Sequence, residues 1–251
     1  MEWWEALLLV LGGTAAGAVN AVAGGGSMLT VPLLVLAGVP GNSANGSNRV
    51  GVFTGNIASA AEFRRLGVDG LQHALVVIGP AIAGSLVGSL GISRLTDESF
   101  ERVFGLLMIP LILLTIKKPK VRTDAKQWSR ATTTVVFFAV GVYGGAIQAG
   151  VGLVMLAALS RAGFDLLTAN SIKVLVILAV TAVALPVFMI QDQVDWLPAL
   201  VLAVGLTIGG WLGARLGVVK GEAWIRRVMV FAAIALALRL LGLYGWIGDN
   251  V

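Results

Sequence analysis

"NAVAGGGSMLTVPLLVLAGVPGNSANGSN", residues 20–48, decides how the rest of the chain is read. It sets a glycine triplet, a short apolar run and a cluster of asparagines and serines inside a chain that is 57% hydrophobic and 12% charged, with mean hydropathy +0.92. Such a composition belongs to polytopic membrane proteins rather than to water-soluble domains. A helix needs about 20 apolar residues to cross the hydrocarbon layer. The run at 27–37 is about half of that, and lipid supplies no hydrogen bonds to the polar groups on either side of it. Those groups must be satisfied inside protein or in a wet cavity.

Working outward, apolar stretches predict long helices at 5–22, 48–62, 71–92, 100–116, 131–148, 168–190, 196–218 and 224–246. Two short apolar pieces remain, 27–37 and 151–160. The first span follows Glu2 and Glu5 with no basic segment ahead of it, so it is expected to stay in the membrane rather than be cleaved as a signal peptide.

The chain repeats itself at an offset of about 125 residues. "IAGSLVGSLG" (82–91) pairs with "IGGWLGARLG" (208–217), "VDGL" (68–71) with "VDWL" (194–197), "AGGG" (23–26) with "AGVG" (149–152), and "ANGSN" (44–48) with "ANSIK" (169–173). The organisation read from this is a first transmembrane repeat at 1–116, a basic linker at 117–130 and a second repeat at 131–251.

Charge decides how the repeats are oriented. If only the eight long segments cross, the basic residues divide evenly between the two sides, which is no orientation signal. If the short pieces also reverse the chain, Arg64, Arg65, Arg161, Lys173, Arg215, Lys220, Arg226, Arg227 and the six basic linker residues share one side. Only Arg49, Arg94, Arg102 and Arg239 lie opposite. This bias predicts a cytoplasmic linker, both termini outside, and an all-α polytopic membrane protein. Its two homologous halves are inverted, with about eight long helices and two short broken or re-entrant half-helices.

In that arrangement the two breaks converge near the bilayer midplane. Glycine permits the turn, Ser27 is positioned to cap the half-helix after it, and the half-helix N-terminus offers free amides and about half a positive charge. Such an end binds anions without a basic side chain. The candidate substrate-binding residues are Asn20, Gly24, Gly25, Gly26, Ser27, Asn45, Ser47, Asn48, Gln148, Gly150, Gly152, Asn170, Ser171 and Lys173. Ser43 or Asn45, and Thr168 or Asn170, are alternatively helix caps, Lys173 alternatively snorkels to the interface, and Gln148 alternatively satisfies backbone. Arg49 and His73 are read as interface residues.

Other chemistries lack their residues. The chain has no cysteine, which removes disulfides and thiol catalysis, and the triple glycine lacks the Gly-Lys-Ser/Thr ending of a nucleotide loop. No carboxylate pair or Ser-His-Asp set lies at membrane depth, so no enzyme, metal or cofactor is expected. Basic residues in short loops point to the lipid bilayer as the partner rather than to nucleic acid, and the oligomeric state is left open.

The stretch from Asn20 to Gly67 resembles the first half of the TauE/SafE sulfite exporter (TSUP) family, and "GAIQAGVGLVMLAALSRAGFDLLTANSIK" (145–173) resembles the opening of its second half. The resemblance implies a permease of the prokaryotic inner membrane acting on sulfite, sulfonates or other small sulfur-containing or organic anions. The second half departs from the first in Gly-Val-Gly for the triplet and Lys173 at the Asn48 position. An anion exporter is therefore expected, with a proton- or sodium-coupled uptake permease for a small organic acid, or a non-transporting membrane assembly or lipid-binding protein, as alternatives.

Overall fold

The computed structural model describes residues 1–116 and 128–240, and all regular structure among them is α-helical. The helices are α1 (Trp3–Ala23), α2 (Ser27–Leu36), α3 (Gly41–Arg65), α4 (Leu71–Ile92), α5 (Asp97–Ile116), α6 (Arg130–Ala146), α7 (Val151–Arg161), α8 (Leu166–Ile190) and α9 (Trp196–Leu240). Most of the linker, the end of the last expected span and the C-terminus lie outside the described residues. Gly221 interrupts α9 with φ 70° and ψ −170°, which only glycine adopts readily, and so divides it where two spans were expected. Among the described residues four helices are long and apolar enough to cross a membrane: Trp3–Ala23, Leu71–Ile92, Leu166–Ile190 and Trp196–Gly221.

The largest departure from the sequence reading is at α3. Its first turns are "GNSANGSN", too polar to be counted as a span, yet they are helical and almost wholly buried. Lipid does not meet this face; Glu101 of α5, Phe188 of α8, the Gln193 backbone and Ala146 of α6 do. The starts of α3 and α8 are also capped differently from the expectation. The Asn42 amide donates to the Asp97 carboxylate of α5 (2.8 Å), and Asp165 accepts from the Leu167 and Thr168 amides (3.0 Å each). Ser43, Asn45, Thr168 and Asn170 cap neither helix through their side chains.

Glycines let helices touch backbone to backbone. A methyl group at Gly205, Gly209 or Gly213 of α9 would overlap, or nearly overlap, the carbonyl oxygen of Val10, Thr14 or Ala18 of α1 in turn. Positions thus rise together along both helices, so α1 and α9 run parallel. The same ordering holds for α3 with α9, where Gly51 meets Ala203 and Gly55 meets Leu206. It holds again for α4 with α6, where Gly84 meets Phe138 and Gly88 meets Val142. Helices α3 and α8 instead run antiparallel, since Gly46 lies against Phe188 while Phe63 shares an apolar cluster with Val174. Because α1 and α3 point the same way, α2 carries the chain back between them.

Three outcomes follow. Gly84→Ala drives a methyl into the Phe138 carbonyl and is expected to lower thermal stability in detergent, by about 1–3 kcal/mol for overpacking. Gly79→Ala on the same helix meets nothing within 4 Å, so it should be neutral or gain up to about 1 kcal/mol of helix propensity. Asp165→Ala should cost about 0.5–2 kcal/mol as a lost cap. Partial burial works to raise the Asp165 carboxyl, but hydrogen bonds from Thr168 and Leu167 outweigh it and hold the group below its usual 3.8. Its contribution is therefore complete above that value and lost as pH falls through the lower folded one, so the gap between Asp165→Ala and the parent should close in acid.

Candidate functional site

The two helix breaks meet. Gly24 (φ +79°) ends α1 in a left-handed turn, and a methyl on it would collide with the backbone of Gly152 at the start of α7. The second break turns through Gln148 (φ 62°) and Gly150 (φ 72°). A left-handed glutamine is unusual, and its backbone oxygen accepts from Ser27 Oγ at 3.2 Å across the junction. Gly26, not Ser27, is the N-cap of α2, and Gly150 that of α7. The expected Ser27 cap is thus replaced by a bridge between the two breaks.

An interrupted helix leaves carbonyls at one end and amides at the other. The carbonyl ends here are taken by buried cations. Arg49 of α3, fully buried, donates from Nη1 to Gly144 O (3.1 Å) and Gln148 Oε1 (2.9 Å), and from Nη2 to Gly145 O (2.6 Å) and Ala146 O (3.1 Å). Its guanidinium also lies 4.4 Å from the Phe188 ring centre. Lys173 of α8, equally buried, donates to Asn20 O (2.6 Å), Ala21 O (3.0 Å) and Asn170 Oδ1 (2.6 Å). Arg49 therefore closes the end of α6, and Lys173 the end of α1, each reaching from the other half of the chain. Arg49 is not the interface residue it was read as. Lys173 does not snorkel, and all three of its protons are engaged. Neither cation has a carboxylate partner among the described residues, whose ion pairs are Arg65 with Glu62 and Arg102 with Glu98.

The amide ends are left bare. Whereas α3 and α8 start on carboxylates, α2 and α7 have no acidic residue in the first turn and no side-chain cap. The Asn48 carboxamide stands beside the first turn of α2, with Oδ1 accepting from Thr30 Oγ1 at 2.6 Å. Its Nδ2 is buried without a hydrogen-bond partner, as are Asn45 Oδ1 and Arg49 Nε. Asn20 lies against Gly26 and keeps 7% exposure, and Gly25 faces the Leu153 side chain. Both ends of the Gln148 carboxamide are engaged: besides accepting from Arg49 it donates from Nε2 to Thr181 Oγ1 at 2.8 Å.

The structure thus brings together Asn20, Gly24, Gly25, Gly26, Ser27, Asn48, Gln148, Gly150 and Gly152. Asn45 borders the junction by donating to Ala146 O (2.8 Å), and Asn170 donates to Leu166 O (2.8 Å) within its own helix while receiving Lys173. Ser47 and Ser171 lie elsewhere, as reciprocal clasps. Ser47 Oγ receives the Asp195 amide at 2.8 Å, and Ser171 Oγ donates to Val68 O and receives the Gly70 amide, each at 3.1 Å. Arg49, Thr30 and Thr181 were not among the sequence candidates. The available signal for Arg49 was a cation at the head of the predicted span 48–62, beside the Asn-rich stretch.

A family model described as sulfite exporter TauE/SafE matches residues 9–240. The chain is 29% identical over 231 residues to the probable membrane transporter protein ORF9 of Sinorhizobium sp, covering 90% of this chain and 88% of that one. It is 26% identical over 245 residues to the probable membrane transporter protein YfcA of Escherichia coli K12 (94% and 91% covered), and 25% over 265 residues to YunE of Bacillus subtilis (94% and 97%). No solved structure matches. With the match spanning nearly its whole length and two helix breaks joined in an all-helical, strongly apolar chain, this protein belongs to the sulfite exporter TauE/SafE family of membrane transporters.

Proposed function

We propose that the protein exports a small anion, sulfite or an organosulfonate, by alternating access at the junction of the two helix breaks. One contrast carries this reading: of these four helix starts, α3 and α8 are met by the carboxylates of Asp97 and Asp165, while α2 and α7 present uncapped amides. Bare N-termini attract negative charge. The groups that would hold the anion are the amides of Gly25, Gly26, Ser27 and Gly152 with the carboxamides of Asn20 and Asn48. Arg49 and Lys173 add a positive field, neither being paired with a carboxylate among the described residues.

The halves are read as inverted copies, linker inside and termini outside, in the prokaryotic inner membrane. Support comes from helix direction, since α3 and its counterpart α8 pass antiparallel and α1 runs with α9 while α6 runs with α4. The charge bias of the loops points the same way. An inside-negative potential drives an anion outward by about 2.3 kcal/mol per charge per 100 mV, so export needs no coupling ion.

Reconstituted vesicles loaded in turn with sulfite, sulfoacetate, sulfolactate, thiosulfate or carboxylates test this. Efflux of a sulfur oxyanion that scales with an imposed potential and ignores proton and sodium gradients is the expected result. Dependence on either gradient would mean a coupled permease, and no flux of any anion would overturn the reading. Asn48→Asp keeps the side-chain size but places a like charge at the α2 start. It should lower anion kcat/KM by at least about tenfold, a cost of about 1.4 kcal/mol or more.

A further inference from the structure

We infer that the two sequence repeats exchange one helix each, so that the bodies moving against one another during transport are two helix-swapped bundles, with Arg49 and Lys173 as the positioning residues that latch them. The inference rests on the transport reading for its purpose, though not for its geometry. One bundle comprises α1, α2, α3 and the Trp196–Gly221 part of α9. The other comprises α4, α6, α7 and α8.

Contacts within each bundle leave no slack. Gly205, Gly209 and Gly213 seat on α1 carbonyls, Gly55 and Gly210 bring α3 and α9 into backbone contact, and Gly84, Gly88, Gly141 and Gly145 do the same for α4 and α6. Hydroxyls add to this. Thr54 and Thr207 pair at 2.9 Å and Ser47 holds the Asp195 backbone, joining α3 to α9; Ser85 donates to Val180 O at 2.7 Å and Ser171 holds Val68 and Gly70, joining α8 to α4. In each case a helix of one repeat is fixed to a helix of the other. By contrast α3 and α4, consecutive in one repeat, fall in different bundles and are joined by the turn through Gly67 (φ +80°). The matching turn between α8 and α9 contains Asp192 at φ 54°.

Across the boundary the helix breaks touch through backbone at Gly24 and Gly152, with no glycine seam running along a helix pair, and the hydrogen bonds come from side chains. Arg49 reaches from the first bundle to the end of α6, Lys173 from the second to the end of α1, Asn45 to Ala146, and Ser27 to Gln148. The two cations hold the helix ends that flank the junction and supply seven of the hydrogen bonds there, so their removal loosens one bundle from the other while leaving the glycine seams intact.

Spin labels read this without any substrate, because the chain has no cysteine of its own. Leu11 of α1, Leu75 of α4 and Val204 of α9 are all exposed. In Lys173→Met or Arg49→Met, the distance between labels at 11 and 75 should broaden or shift by several ångströms, although both lie in one repeat. The distance between 11 and 204, which spans both repeats, should keep its width. Lys173→Arg should restore a narrow 11–75 distribution. Equal broadening of both pairs, or none at 11–75, would overturn the inference.

If the neutral variants fail to fold, disulfides give the same information. A bridge formed in Ala21→Cys/Val174→Cys crosses the bundles and should arrest sulfite or sulfoacetate efflux until reduced. One in Thr54→Cys/Thr207→Cys lies within a bundle and should leave efflux unchanged. Arrest by both, or by neither, would refute the swapped bodies. Absence of efflux from the cysteine-free parent would sink the transport reading alone, with the label distances still deciding the bundles.

Discussion

A helix cannot stop inside a membrane without something to meet its last carbonyls, and this requirement organises the molecule. Each unsatisfied backbone group in an apolar setting costs several kcal/mol, and α1 and α6 both end at buried breaks. The protein meets that cost with a cation from the opposite repeat. Burying an arginine or lysine away from water is itself expensive, several kcal/mol per ion even after relaxation. The cost is offset only because every strong donor direction but one finds an oxygen: four bonds from Arg49, three from Lys173. The two problems, a dangling helix end and a buried charge, cancel each other.

The consequence for function is a separation of charge. Carbonyl ends and cations pair off, and the amide ends of α2 and α7 remain beside them with no acidic residue in their first turns. The two sides are not equivalent. The planar fork of Arg49 spans the last turn of α6 and holds Gln148, while the compact ammonium of Lys173 relies on Asn170 for its third acceptor. At the position matching Lys173 the first repeat has Asn48, whose free Nδ2 makes the α2 side of the junction the one with a spare directed donor.

Glycine supports this in a second way. Where backbones touch, side-chain volume cannot absorb a shift, so helices joined by such seams behave as one body. The seams that run along helix pairs join α1 and α3 to α9 and α4 to α6, while the contacts of Gly24 with Gly152 and of Gly26 with Ala16 are confined to the helix breaks. The breaks, the cations and the bridging Ser27 all fall on the boundary between the bodies joined by those seams.

Membrane class, the positions of both breaks and the small-residue spacing of the glycine seams were legible in the sequence because each depends on composition or local spacing. Gly24, Gly150 and the short apolar runs 27–37 and 151–160 announce interrupted helices without reference to any neighbour. The helical character of 41–47, the burial of Arg49 and the assignment of Lys173 to a helix end were not legible. A polar helix start looks like a loop until another helix covers it, and a lone arginine looks like an interface residue until α6 is seen to end beside it. Serines 47 and 171 failed for the same reason, since their partners at 195 and at 68–70 lie in the other repeat. The chain by itself determined where its helices break, because conformational freedom is a property of the residue. Only the tertiary structure decided which group satisfies each broken end, because that depends on which distant carbonyl or amide the packing brings within hydrogen-bond reach.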